Sequence, residues 1–267
     1  MWSQPLQNKH DSCYMDVVLN ALFLDPTRSV EKSLEDISRC VPANNVCGTD
    51  SKESTRDIQD TVRDVANHLK IIGESKGVED YVSLDEVRKS ALSCPVLNST
   101  ERFDKEGMND PSVFIEYLVE LFPCMKKLNS GESPLVYLER GPLINIHNKD
   151  LSEVVEMHAD NTGETFSNSE LVIFDITRLE RGKYNTNVHV EPDEIILYDN
   201  GKRLELTAVV VWENYHYTVY VNVDETWYYL DDNEKYVEEV GDYSDLLKHK
   251  GEFVSQDGKL FFYTSPS

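Results

Sequence analysis

Asn8-Lys9-His10-Asp11-Ser12-Cys13-Tyr14-Met15-Asp16-Val17-Val18-Leu19-Asn20-Ala21-Leu22-Phe23 runs from a polar approach into an apolar stretch. Its composition predicts a helix from Cys13 to Leu24, with Val17, Leu22 and Phe23 among the residues entering a core. A thiol at the first turn of a helix sits at the positive end of the macrodipole, where the thiolate is favoured over the thiol. Cys13 is therefore a candidate nucleophile, although most free cysteines are simply small buried hydrophobes. Cys40, Cys47, Cys94 and Cys124 have no such setting. An odd number, wide spacings and no Cys-x-x-Cys pair argue against a disulfide scaffold or a thiolate zinc site, and for a reducing compartment.

Outward from this stretch, the first half of the chain reads as helices. Ile58, Val62, Val65 and Leu69 form one stripe of a helix around Thr55 to Ile72. Ser83 and Glu86 resemble a capping box opening Leu84 to Ser93. Asp110-Pro111 is a helix start, continued by Phe114, Tyr117, Leu118 and Leu121. Ala43 to Ser54 and Gly73 to Tyr81 read as loops. The second half switches to strands rich in Val, Ile, Tyr and Trp: Leu171 to Arg178, Glu194 to Tyr198, Glu205 to Trp212, His216 to Asn222, Thr226 to Leu230 and Leu260 to Thr264. Asp199-Asn200-Gly201-Lys202 is a hairpin turn signal, and Asp224-Glu225 a shorter one. There is no internal repeat. The expected plan is α+β, with a helical half packed on an antiparallel half and a cleft between them.

A thiolate needs a base, and the base needs something to hold it. His216 heads one expected strand, and Asp231 and Asp232 end the next. In an antiparallel hairpin the start of one strand faces the end of the other, so topology brings His216 beside Asp231. One ring nitrogen can then take the thiol proton while the other donates to the carboxylate. A hairpin that merely ends in polar residues would carry the same pattern.

The 267 residues allow one large domain or two small ones. With 40% hydrophobic residues, a sizeable core is expected. No apolar run approaches the ~20 residues of a membrane span, and the polar start lacks a signal pattern, so an intracellular protein is expected. The formal net charge of −23 disfavours nucleic acid and favours a basic protein partner, although charge of this kind also simply keeps a protein soluble.

The stretch Asn8 to Phe23 resembles the cysteine box of the ubiquitin-specific proteases, Asn-x-Gly-Asn-Thr-Cys-Tyr-Met-Asn-Ser-x-Leu-Gln-x-Leu. His216-Tyr217-x-x-Tyr220 with Trp227-x-x-Leu230-Asp231-Asp232 resembles their histidine box. Met108 to Ile115 is similar to their Gln-Gln-Asp-Ala-x-Glu-Phe-Leu segment, Leu171 to Arg178 to the strand before their variable insertions, and Lys259 to Tyr263 to their ending. The boxes occur in the family's order over nearly the whole chain.

The resemblance implies a single catalytic domain over residues 1–267 with the papain-like fold. Its helical thumb, about 1–130, would pack on an antiparallel β palm, about 131–267, with small zinc-free fingers. It implies hydrolysis of the bond after the C-terminal Gly-Gly of ubiquitin, with Cys13 as nucleophile, His216 as base and Asp231 as orienter. Asn8 would supply an oxyanion donor, Asp232 would assist, and Asp110 and Tyr215 would meet substrate. Neither metal nor other cofactor is implied, and the expected state is a cytoplasmic or nuclear monomer whose partner is ubiquitin, a ubiquitin-like protein or its conjugates.

Several positions depart from the pattern. Tyr215 stands where the family has glycine, His10 replaces a glycine in the cysteine box, and Val113 stands in place of a glutamate. The paired zinc-binding cysteines of the fingers are missing, and the stretch from Gly131 to Asn168 is short. Three readings stay open: a deubiquitinase, a protease for another ubiquitin-like protein or a polyprotein, and an inactive ubiquitin-binding module.

Overall fold

In the computed structural model, helix α1 (Cys13–Phe23) is buried along its whole length. A helix that is apolar on nearly every side has to be surrounded, and α1 packs against α2 (Lys52–Ser75), α4 (Pro111–Leu121) and the central sheet. The structure describes residues 2–6, 12–25, 52–76, 84–93, 109–129, 133–138, 149–176, 179–180, 183–184, 188–198, 200–213 and 215–266. Helix α3 (Asp85–Ser93) lies against α2. Helix α2 overruns its expected bounds at both ends and takes in Gly73, because Val62, Val65, Leu69 and Ile72 keep a continuous buried stripe. Ser83, the expected cap of α3, lies outside the described residues.

At α4 the expected start is found. Asp110 is extended, and its carboxylate accepts a hydrogen bond from the Ser112 N–H at 2.9 Å, with Pro111 at the first helical position.

Eight strands form one sheet: β1 (Leu135–Leu138), β2 (Leu171–Ile176), β3 (Ile195–Leu197), β4 (Arg203–Glu213), β5 (His216–Val223), β6 (Thr226–Leu230), β7 (Glu238–Gly241) and β8 (Gly258–Thr264). Their order is β1-β2-β8-β4-β5-β6-β7, with β3 added beside β4. All pairings are antiparallel except β1 with β2, which is parallel. That parallel edge is added to a sheet that is otherwise antiparallel, as expected. The connection between β1 and β2 carries helix α5 (Leu151–Thr162), which composition had not suggested. A helical crossover is what a parallel pair requires.

Side chains alternate across this sheet with period two. Leu171, Ile173, Ala208, Val210, Val219, Val221, Val223, Leu260 and Phe262 face the helical half, where α1, α2 and α4 cover them. Val172, Phe174, Val209, Val211, Tyr220, Trp227, Tyr229, Phe261 and Tyr263 face the other way, onto α5 and two short helices, α6 (Tyr243–Lys248) and α7 (Phe253–Asp257). Both faces are therefore covered, and the fold is a helical layer on a central sheet with a thinner second layer behind.

Both turn signals are used. The β3–β4 hairpin closes through Gly201 at φ 78°, whose N–H donates to the Tyr198 carbonyl at 2.9 Å. The β5–β6 hairpin turns on Asp224 and Glu225, both at positive φ, as a two-residue turn of the primed type requires. That turn sets the register that pairs Leu230 with Val219 and so delivers Asp231 to the open end of β5.

Candidate active site

Cys13 occupies the first helical position of α1 and is a buried free thiol. Ser12, just before it, does not cap the helix with its side chain. Its hydroxyl donates instead to Asp16 Oδ2 at 3.0 Å, one turn into the helix. The Met15 and Asp16 N–H groups donate to the Ser12 carbonyl at 2.8 and 3.1 Å, which leaves only the N–H groups before them without a partner in the helical ladder. Cys124, by contrast, is disulfide-bonded, which corrects the expectation that every cysteine other than Cys13 is just a small hydrophobe.

His216 begins β5 and faces the thiol, and the two side chains hydrogen-bond. On the opposite side of the ring, Nε2 lies 2.8 Å from Asp231 Oδ1, which leaves Nδ1 for the sulfur. The Asn233 carboxamide also reaches Nε2 at 3.0 Å, while the Asn233 backbone N–H donates to Asp231 Oδ1 at 3.0 Å. Asp232 Oδ1 lies 3.3 Å from the same nitrogen.

Burial opposes a charged imidazole, but the hydrogen bonds to Asp231 and Cys13 and the negative field of Asp232 outweigh it, so the His216 pKa is pushed up to about 10. Burial likewise opposes ionisation of Asp231, and the hydrogen bonds from His216 and the Asn233 N–H overcome it and hold the carboxyl below its usual range. At neutral pH this is an imidazolium clamped by a carboxylate, beside Cys13 at a helix N-terminus. Donor atoms of His216, Asp231 and Asp232 lie within 4.8 Å of one another, a spacing that a cation could also use. Nε2 is already committed to Asp231 and Asn233, so the set reads as an orienting network for the ring.

No protein-family model matches this sequence, and no curated protein matches it. Solved structures do match in shape. Ubp8 in the SAGA DUB module bound to monoubiquitin superimposes with a TM-score of 0.58 at 12% identity, over 99% of this chain and 69% of that one. The Ubp8-Sgf11-Sgf73-Sus1 SAGA DUB module gives 0.55 at 13% identity, over 99% and 68%. The Ubp8 module bound to ubiquitin aldehyde gives 0.55 at 12%, over 99% and 70%. The chain has the fold of the ubiquitin-specific proteases. Its helical layer is the thumb of that fold and its sheet the palm, and Cys13 and His216 stand on opposite sides of the junction between them.

The other expected site residues fall in different places. Asn8 and His10 lie outside the described residues. Asp232 is at the site with its side chain only 5% exposed. Asp110 is held from within, by the Ser112 N–H and by Lys259 Nζ at 3.4 Å. Despite burial, that lysine keeps the Asp110 carboxyl below its ordinary range. Val113 is fully buried in the core. Tyr215 is 85% exposed immediately before His216, at φ 67°, a left-handed conformation that glycine adopts without strain and tyrosine does not. Its ring meets Trp212 edge-on at 6.0 Å, and Trp212 contacts Tyr217 at 4.7 Å, so an aromatic group flanks the histidine.

Two residues at the site were not singled out from the sequence. Asn233 follows directly on the Asp231-Asp232 pair, and its position just past a strand end was the available signal. Asp16 carried a signal too, since it stands where the resembling pattern has asparagine.

Proposed function

We propose that this chain is a cysteine-dependent deubiquitinase, one catalytic domain that cuts the peptide or isopeptide bond after the C-terminal Gly-Gly of ubiquitin. The observation that supports it best is the convergence of Cys13, His216 and Asp231, from the first helix and a distant hairpin, in a fold shared with Ubp8 bound to monoubiquitin.

In this reading the Cys13 thiolate adds to the scissile carbonyl carbon, a C–S bond forms, and the carbonyl π pair moves onto oxygen. N–H groups at the start of α1 and the Asn8 amide stabilise that oxyanion. Loss of one such donor costs roughly 10²–10³-fold in turnover in a related chemistry. As the intermediate collapses, the C–N bond breaks and the His216 imidazolium gives its proton to the leaving amine. Water then attacks the thioester, His216 takes its proton, and the C–S bond breaks to restore the thiolate. Asp231 keeps the ring in one orientation through both halves, and Asp232 adds its field. A net charge of −23 suits an encounter with a basic modifier, inside the cell and with the enzyme as a monomer.

A second reading, cleavage after a different ubiquitin-like modifier or within a polyprotein, is favoured by two observations: Asp110 is engaged by Lys259, and Tyr215 fills the glycine position beside His216. The test is reaction with ubiquitin and a panel of ubiquitin-like proteins bearing a C-terminal electrophile, with Cys13→Ala as control. An adduct with ubiquitin that disappears in Cys13→Ala is the expected result. Labelling by another modifier alone would move the substrate and keep the chemistry. A folded protein that ignores every probe would point to a polyprotein protease or an inactive binding module.

A further inference from the structure

Asp16 is completely buried on α1, three residues on from Cys13. Its Oδ2 accepts the Ser12 hydroxyl, but its Oδ1 has no partner if the group is ionised. Across the thumb–palm junction both carboxyl oxygens of Asp232 are buried without a hydrogen-bond donor, Oδ1 standing near His216 Nε2 without the alignment of a bond. The two carboxyl groups lie against each other within hydrogen-bonding reach. Two buried carboxylates in contact repel and leave each other unsatisfied, whereas one proton placed between them removes the repulsion and pairs Asp16 Oδ1 with one Asp232 oxygen.

We propose that Asp16 is a positioning residue that holds this proton: neutral Asp16 donates to Asp232, and the Asp232 carboxylate so fixed faces His216. The chain of contacts then runs Ser12, Asp16, Asp232, His216, and it ties the helix that carries the nucleophile to the hairpin that carries the base. Asparagine, which the resembling pattern has at this position, could make the same donation with its amide, but without a proton to lose.

Asp232 and Cys13 both favour the proton on Asp16. Burial is the largest influence, followed by the contact with Asp232, and the negative field of Cys13 acts in the same sense; together they raise the Asp16 carboxyl well above its ordinary range against the Ser12 hydrogen bond. Tyr14 also faces Asp16, and Asp232 in turn faces His216 and Asp231.

The role concerns the thiol site proposed above, so its test uses a probe that needs no modifier protein. The rate of Cys13 alkylation by iodoacetamide, followed across pH, reports on the thiol–imidazole pair whatever the substrate. Asp16→Asn, which keeps shape and donor, should retain the wild-type rate near neutral pH. Asp16→Ala, which removes the donor, should slow alkylation by roughly ten- to a hundredfold, taking as a guide the range seen when a partner that orients a metal-bound histidine is lost. The infrared difference spectrum of wild type against Asp16→Asn at neutral pH should contain the carbonyl stretch of a protonated carboxylic acid. Two outcomes would overturn the proposal: absence of that band, or an Asp16→Asn protein, folded by circular dichroism, that alkylates as slowly as Asp16→Ala. Neither depends on whether ubiquitin is the substrate.

Discussion

At the scale of single residues, the site is a set of charges whose ionisation depends on their neighbours. The His216 pKa is raised from 6.5 to about 10 in the folded chain, so the folded state binds this proton more tightly than the unfolded one. Its contribution to stability is complete below pH 6.5 and fades as pH rises toward about 10. Asp231 is shifted the other way, and its contribution is present above 3.8 and lost as pH falls below that value. The stability difference between wild type and Asp231→Asn should therefore be widest between pH 3.8 and 6.5 and should shrink on the alkaline side. Urea midpoints of both proteins over a pH series measure this, and a difference that widens toward alkaline pH would contradict the ion pair. Tyr215 belongs to the same scale. A tyrosine in a left-handed conformation, almost fully exposed, is a local cost that core packing does not explain.

At the scale of elements, a buried polar tie joins α4 to β2 and β8. Lys259 on β8 donates to Asp175 on β2 and lies 3.4 Å from Asp110 at the cap of α4, while the Ser112 hydroxyl also donates to Asp175. Burial disfavours the ammonium, but the two carboxylates more than offset this and raise Lys259. Asp175 is raised by its own burial even though Lys259 opposes it. Lys259→Met would keep the length of the side chain and leave two acidic groups without their cation. The expected loss is about 3–5 kcal/mol, the usual cost of removing one partner of a buried pair. Chemical denaturation reads it directly, and a loss under about 1 kcal/mol would show the tie to be dispensable. The same element shows why Asp110 was hard to assign from sequence: Asp110-Pro111 announces a helix cap, but nothing local announces a lysine on the last strand. Helix α5 was missed for another reason. Only Leu151, Val154 and Val155 of its residues are buried, too thin a stripe to stand out from its charged neighbours.

At the scale of the whole molecule, charge and layering dominate. A net charge of −23 makes the folded chain repel itself, and salt screens that repulsion by shortening the Debye length from ~30 Å at 0.01 M to ~10 Å at 0.1 M. Melting temperature by calorimetry should rise over that range of sodium chloride; a fall would mean that attractive surface pairs outweigh the excess. The shape itself tolerates great change in sequence, since it is matched at a TM-score of 0.58 with 12% identity. What such a fold needs is alternation along strands and apolar helices to cover both faces, and many sequences supply that.

What the amino-acid sequence determined alone is local. The helix begins at Cys13, Asp110 and Pro111 start another, Gly201 and the Asp224-Glu225 pair turn two hairpins, and the second hairpin brings Asp231 to His216. Capping, turn chemistry and strand register act over a few residues, so they can be read in order along the chain. The tertiary structure alone decided that α1 lies against β5, and therefore that the thiol meets the imidazole. It also decided that Lys259 neutralises Asp110, and that Asp16 faces Asp232. Those outcomes depend on burial and on fields between groups far apart in sequence, and both exist only once the layers have closed.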